Sequence, residues 1–222
     1  MKILVIDVGG TNIKVLATGQ EEPVKIPSGP ELTPQDLIAG VKLATADWDY
    51  EAITLGLPCP IRAGKPCTEP VNLGKGWLGF DFASQFDKPV KLINDAAMQA
   101  LGSYEGGHML FIGLGTGMGT AIIGENAIFP LELAHLPYRK KKTFEQYVGT
   151  VALEKFGKKR WRMFVNDVFK QLYAAMGVDY IVVGGGNSKQ LKEIPEFVRL
   201  GNNRNAFIGG YRLWEEFAGV SS

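Results

Sequence analysis

The stretch Ile3-Leu4-Val5-Ile6-Asp7-Val8-Gly9-Gly10-Thr11-Asn12-Ile13-Lys14-Val15-Leu16 constrains the fold more than any other part of the chain. Residues with strong β preference run up to Asp7 and Val8, two glycines and a threonine come next, and an alternating apolar run resumes at Ile13. The pattern predicts a buried strand, a tight turn and a returning antiparallel strand. Gly9 and Gly10 can take positive φ and let a ligand approach the backbone closely. Backbone N–H groups in such a turn form an anion-binding concavity, to which Thr11 adds a hydroxyl donor. Asp7 stands at its edge, where a hydrated Mg²⁺ bridging to phosphate would want a carboxylate. Read alone, the same residues also fit an ordinary Gly-Gly hairpin with a capping aspartate, because short glycine motifs recur widely.

The rest of the chain narrows the choice. Its 222 residues suffice for one large domain or two modest lobes. With 45% hydrophobic and 21% charged residues, neither a disordered chain nor a membrane protein is indicated. Twenty-four basic against 23 acidic residues argue against a general nucleic-acid binder. No apolar run reaches membrane-spanning length and no signal-peptide pattern opens the sequence. The two cysteines, Cys59 and Cys67, lack the spacing of a zinc or redox pair and read as reduced thiols. A soluble cytoplasmic protein is expected.

Further along, Val24 to Ile26 reads as a third short strand. Thr33 and Pro34 open a helix to about Ala46, with threonine as N-cap and proline at the first helical position. Ala52 to Leu57 is a strand stopped by Pro58-Cys59-Pro60, and Ile61 to Pro66 a short hairpin arm. Glu69 to Asp81 is a glycine-rich loop with an aromatic, of the kind that lines a site over a rigid scaffold, although its composition fits a plain surface loop as well. Val90 to Ile93 is a strand, and Ala96 to Tyr104 a helix whose start carries Asn94 and Asp95, so capping competes with any chemical role there. Met109 to Leu114, a Gly/Thr turn over 115–120 and a strand over Ala121 to Ile123 repeat the opening architecture, which points to a duplicated α/β protein without a close sequence repeat. Thr143 and Gln146 have capping-box spacing, and helices are predicted over Phe144 to Phe156, with a break near Gly149, and over Arg160 to Ala175. Asp179 to Val183 is a strand ending in Gly184-Gly185-Gly186-Asn187, with a short helix after it near Lys189 to Leu191. A last helix is predicted over Ala206 to Ala218, with Phe207, Tyr211, Trp214 and Phe217 packing at helical spacing.

Taken together, the sequence resembles the ROK family of sugar kinases within the actin-like kinase superfamily. The resemblance covers essentially the whole chain. It rests on Asp7 to Lys14, Val71-Asn72-Leu73 with Trp77, Asn94-Asp95-Ala96, Gly113 to Gly119, Glu132-Leu133-Ala134-His135 and Gly184-Gly185-Gly186, all in family order. Compact length and the context after His135 look most like the polyphosphate/ATP glucokinase branch. The resemblance implies an actin-like (ribonuclease H-like) two-lobe α/β fold, an N-terminal lobe over residues 1–103 with the C-terminal helix returning to it, and a C-terminal lobe over 104–205. It implies a hexose kinase acting on the 6-hydroxyl of glucose, with Asp95 as general base and Asn72, Asn94, Glu132 and His135 on the sugar. A buried Glu132 and His135 would suit hydroxyls, which both donate and accept. For His135 alone, a satisfied core histidine is the competing reading. Asp7, Gly9, Gly10, Thr11, Lys14, Gly115, Thr116, Gly117, Gly185 and Gly186 would surround the phosphoryl donor. The donor would be ATP or polyphosphate with Mg²⁺ held at Asp7 through water, and a homodimer is the family expectation.

Departures from the family pattern carry expectations too. No cysteine follows Cys67, so no structural zinc is expected. Cys59 and Ala134 stand where many relatives have glycine, which would narrow the sugar pocket and admits mannose, fructose or an N-acetylhexosamine as alternatives. A non-catalytic sugar- or polyphosphate-binding protein is the alternative from another class. Finally, Arg139 to Arg162 holds nine basic residues against Glu145 and Glu154. Such a run fits either a polyanion such as polyphosphate or a solvated helix face.

Overall fold

The computed structural model describes residues 1–202 and 204–215. The first half contains β1 (Ile3–Val8), β2 (Asn12–Ala17), β3 (Val24–Pro27), α1 (Pro34–Ala44), β4 (Ala52–Leu57), β5 (Ile61–Arg62), β6 (Lys65–Pro66), β7 (Val90–Asn94) and α2 (Asp95–Ser103). The second contains β8 (Met109–Leu114), β9 (Met118–Gly124), β10 (Ala127–Leu131), α3 (Glu145–Val148), α4 (Thr150–Met176), β11 (Tyr180–Gly184), β12 (Val198–Leu200) and α5 (Asn205–Arg212).

β1 and β4 are buried along their whole length, which is why both read as continuous apolar runs rather than alternating ones. β1 pairs antiparallel with β2, placing Asp7 opposite Lys14, and parallel with β4. The first sheet runs β3-β2-β1-β4-β7 and the second β10-β9-β8-β11-β12. Every pair in the second sheet has the sense of its counterpart in the first. The duplication is therefore present in strand pairing although the sequences of the halves have diverged.

α1 starts with the anticipated Thr33 cap, a capping box with Asp36 and Pro34 in the first turn. α2 lies between the sheets. Its Ala97, Met98 and Leu101 share one core with Val5 and Ala52 of the first sheet and Phe111, Ala121 and Val182 of the second. Small residues let α5 cross α2 at backbone distance: a Cβ at Gly102 would lie 1.8 Å from Asn205 O, and one at Gly209 1.8 Å from Met98 O. The end of α5 is anchored on the first sheet, where Trp214 Nε1 donates to Thr54 Oγ1 at 2.9 Å and that hydroxyl donates to Gly210 O at 2.7 Å. α4 breaks inside its span at Gly157 (φ 70, ψ 160), within the gap expected between two helices, and is preceded by the break at Gly149.

Two edge strands were not anticipated from sequence. β10 contains Pro130, which an edge strand tolerates, and is entered through Glu125 and Asn126, both at positive φ without glycine. β12 is only three residues long. β9 begins at Met118, three residues before the expected start at Ala121. Of the predicted last helix, α5 accounts for Asn205–Arg212, whereas Phe217 and Ala218 lie outside the described residues.

Candidate active site

Asp95 opens α2 at the point where β7 ends. The capping competitor is present, but Asn94 fills it: Asn94 Oδ1 accepts from Ala97 N at 3.1 Å while its Nδ2 donates to Cys59 O at 3.4 Å. Asp95 Oδ1 accepts from Ala96 N at 2.8 Å. Burial, reinforced by the negative charges of Asp7 and Glu132, pushes the Asp95 carboxyl up to about 7. Burial also raises the Asp7 carboxyl, opposed by Lys14, whose Nζ lies 3.5 Å from Asp7 Oδ2. β9 passes directly over the start of α2, since a Cβ at Gly119 would be 3.0 Å from that of Ala96. Asp95 thus sits where the first sheet, α2 and the second Gly/Thr hairpin meet.

Each hairpin turn carries an internal backbone bond from its first glycine. In the first, Gly9 N donates to Asn12 O at 3.1 Å, and in the second, Gly115 N donates to Gly117 O at 3.0 Å. Among the described residues the N–H groups of Gly10, Thr11, Thr116 and Gly117 keep no internal acceptor. Such free, adjacent donors are what an anion needs. Asn72 abuts the first turn: a Cβ at Gly10 would come within 3.2 Å of Asn72 Cβ, so glycine there permits the loop to close on the hairpin.

The second turn is held from behind by residues outside the expected set. Thr150, first residue of α4, donates from its N and its Oγ1 to Gly115 O at 3.0 and 2.9 Å. Asn187 Nδ2 donates to the same carbonyl and to Thr150 Oγ1, both at 3.0 Å. Glu145 Oε2 accepts from Met118 N at 3.3 Å. Asn187 comes directly after the Gly184-Gly185-Gly186 turn, where Gly185 (φ 82) leaves no room for a side chain, its Cβ position being 2.3 Å from Leu114 O. The glycine triplet and the second hairpin are therefore one unit. The signals for the missed residues were present but weak: Thr150 comes right after the predicted break at Gly149, and Asn187 ends the glycine run.

Glu132 and His135 differ from expectation. They face one another at 3.5 Å, but their side chains are 63% and 67% exposed rather than buried. The cause is the 3₁₀ turn Leu133–His135, in which residues three apart stand on one side, here the solvent side, while Ala134 faces the core. Thr120 holds the turn in place, donating to Leu131 O at 2.6 Å and accepting from Leu133 N at 3.4 Å. His135 is thus no core histidine. Cys59, by contrast, is buried beside Asn94, and burial together with the charge of Asp95 pushes its thiol up to about 12, so it packs as a neutral group.

Among the described residues no group of three or more His, Cys, Asp or Glu side chains could hold a metal ion by itself. Asp7 and Asp95 nevertheless repel each other, and a hydrated divalent cation carried in by phosphate, bound through one or two carboxylates, would relieve that repulsion. The residues present fit such an ion.

The fold, two like-ordered sheets joined through α2 and α5, is that of solved actin-like, two-lobe structures described as ROK family proteins. The chain matches the inorganic polyphosphate/ATP-glucomannokinase from Arthrobacter sp. strain KM over 98% of both chains, with a TM-score of 0.83 and 24% identity. It matches a ROK family glucokinase from Streptomyces griseus, solved with glucose and AMPPNP, over 96% of this chain and 99% of that one, with a TM-score of 0.79 and 16% identity. A ROK family protein from Streptococcus pneumoniae TIGR4, solved with sucrose, matches at a TM-score of 0.73 and 18% identity over 96% of this chain and 98% of that one. No protein-family profile and no curated protein sequence matches the chain. At these identities the likeness establishes the fold.

Proposed function

We propose that the chain is a sugar kinase that transfers a phosphoryl group from ATP or inorganic polyphosphate, carried with Mg²⁺, to the 6-hydroxyl of glucose. The observation that carries this reading is Asp95: a carboxyl set near both Gly/Thr hairpins, with its ionisation pushed up to about 7 by burial and by the charge of Asp7. A primary hydroxyl is a poor nucleophile, and a carboxylate within hydrogen-bond reach accepts its proton as the oxygen attacks phosphorus. The O–P bond to the sugar forms, the bond to ADP or the shortened polyphosphate breaks, and the proton resides on Asp95. Phosphoryl transfer depends chiefly on positioning and charge stabilisation. Gly10, Thr11, Thr116 and Gly117 supply N–H donors for this and Lys14 supplies a cation; Asp7 would hold Mg²⁺ through water, and the ion would neutralise charge on the donor. Asn72, Asn94, Glu132 and His135 orient the sugar. The solvent-facing placement of Glu132 and His135 is consistent with an open site that closes on substrate.

Another hexose is the second reading. The Arthrobacter neighbour is named for glucose and mannose alike, and the Asn94 amide donates to the Cys59 carbonyl here. Ala134, the other residue suspected of narrowing the pocket, faces the core instead.

Asp95→Asn tests the mechanism. Turnover should fall by about 10²–10⁴-fold, the range for a lost general base, while the sugar Kd from calorimetry stays within a few-fold. Unchanged turnover would remove Asp95 from the chemistry.

A further inference from the structure

The long basic run resolves into a built pocket. Arg139, Lys140, Lys142, Lys155 and Arg160 line a cavity of about 260 Å³, space for roughly nine waters. Of these five cations only Arg139 is paired with a carboxylate among the described residues, to Asp167 at 2.8 Å. The floor is aromatic, formed by Tyr147, Phe156 and Phe164.

Two backbone features gather the charges. Residues five apart lie about 140° apart around a straight helix, so Lys155 and Arg160 could not share one pocket. The non-helical Gly157 between them brings both to it. Opposite, Arg139 to Lys142 forms a tight turn, closed by Tyr138 N donating to Lys142 O at 2.7 Å, with Lys140 and Lys141 both left-handed (φ 49 and 59). Such a turn favours Asn-Gly. Two lysines hold it here in a conformation that L residues adopt only at a cost, and conformations of this kind cluster at ligand clamps.

The pocket also lies close to the second hairpin. Tyr147 lines it, and Thr150, three residues on, holds the second hairpin, so their Cα atoms are no more than about 11 Å apart. We propose that this pocket binds the chain of an inorganic polyphosphate beyond the phosphoryl group being transferred. This rests on the kinase reading above. A linear polyanion needs unpaired cations and no recognition of a base. The ring faces are already covered, by Lys155 and Arg160 on Phe156 at 5.7 and 5.4 Å and by Arg139 and Arg160 on Phe164 at 5.7 Å each. They offer no open platform of the kind that binds single-stranded nucleic acid.

Two double variants test the site: Lys140→Asn with Lys141→Gly, which keeps the turn and removes its charge, and Lys155→Ala with Arg160→Ala. Calorimetry at low and moderate salt would measure binding of long-chain polyphosphate, tripolyphosphate and a single-stranded DNA oligonucleotide. For each variant, affinity for long polyphosphate should fall about tenfold or more, with a shallower salt dependence, and the loss should grow with chain length. Wild-type affinity in both variants, or tighter binding of the oligonucleotide than of polyphosphate by the wild type, would overturn the proposal. The kinase reading is judged separately. Polyphosphate held through these lysines, with no phosphoryl transfer to a sugar from either polyphosphate or ATP, would leave the pocket standing and that reading refuted. Transfer from polyphosphate with equal KM in wild type and variants would do the reverse.

Discussion

Asp95 carries a linked signature in activity and stability. Its carboxyl ionises at about 7 in the folded chain, against roughly 3.9 in an unfolded one. The unfolded chain therefore releases this proton first, and between about pH 4 and pH 7 the folded state binds more protons. Stability contributed at this position falls as pH rises through that window and is flat above it. Asp95→Asn removes the penalty, so the variant should be more stable than wild type at pH 8, by about 2 kcal/mol after allowance for partial solvent access, with the gain fading towards pH 4. Urea titrations at the two pH values check this, and an equal difference at both would refute it. The same ionisation predicts an acid limb in kcat/KM near pH 7. On the proposed reading, Asp95 serves function at the expense of stability, as a general base near another carboxylate should.

At the level of elements, the glycines at helix crossings decide the architecture. Gly209→Ala would set a methyl 1.8 Å from Met98 O, so α5 would have to move off α2. A loss of about 2–3 kcal/mol is expected, net of alanine's better helix propensity, and chemical denaturation would measure it. An unperturbed midpoint would mean that the crossing is looser than described. The legibility of the sequence obeys the same physics. β1, β4 and β8 were readable because burial on both faces leaves unbroken apolar runs bounded by Gly or Pro. β10 and β12 were not, because edge strands with exposed residues, one with a proline, lack that signature. In the site, the motif residues stood out through glycine, aspartate and asparagine after strands. Thr150, Asn187 and Glu145 did not, since their role is to brace Gly115 and Met118 from other elements, a tertiary relation that no local pattern records. The exposure of Glu132 and His135 was hidden for a similar reason: the 3₁₀ turn, rather than residue type, sets which side meets solvent.

For the whole molecule, the two like-ordered sheets share one core through α2 and α5, and α2 also presents Asp95. On the proposed reading, movement of one sheet relative to the other would pivot near Asp95, where closure on a sugar would exclude water. The basic pocket lies near the second hairpin, joined to it through the segment from Tyr147 to Thr150. The most direct measurement is a coupled phosphorylation assay with Mg²⁺ that crosses glucose, mannose, fructose and N-acetylglucosamine with ATP and polyphosphate. A kinase of the proposed kind turns over glucose with at least one donor, and that turnover falls by about 10²–10⁴-fold in Asp95→Asn. Sugar binding seen by calorimetry with no phosphorylated product from any pair would contradict it and leave a sugar-binding protein on a kinase fold.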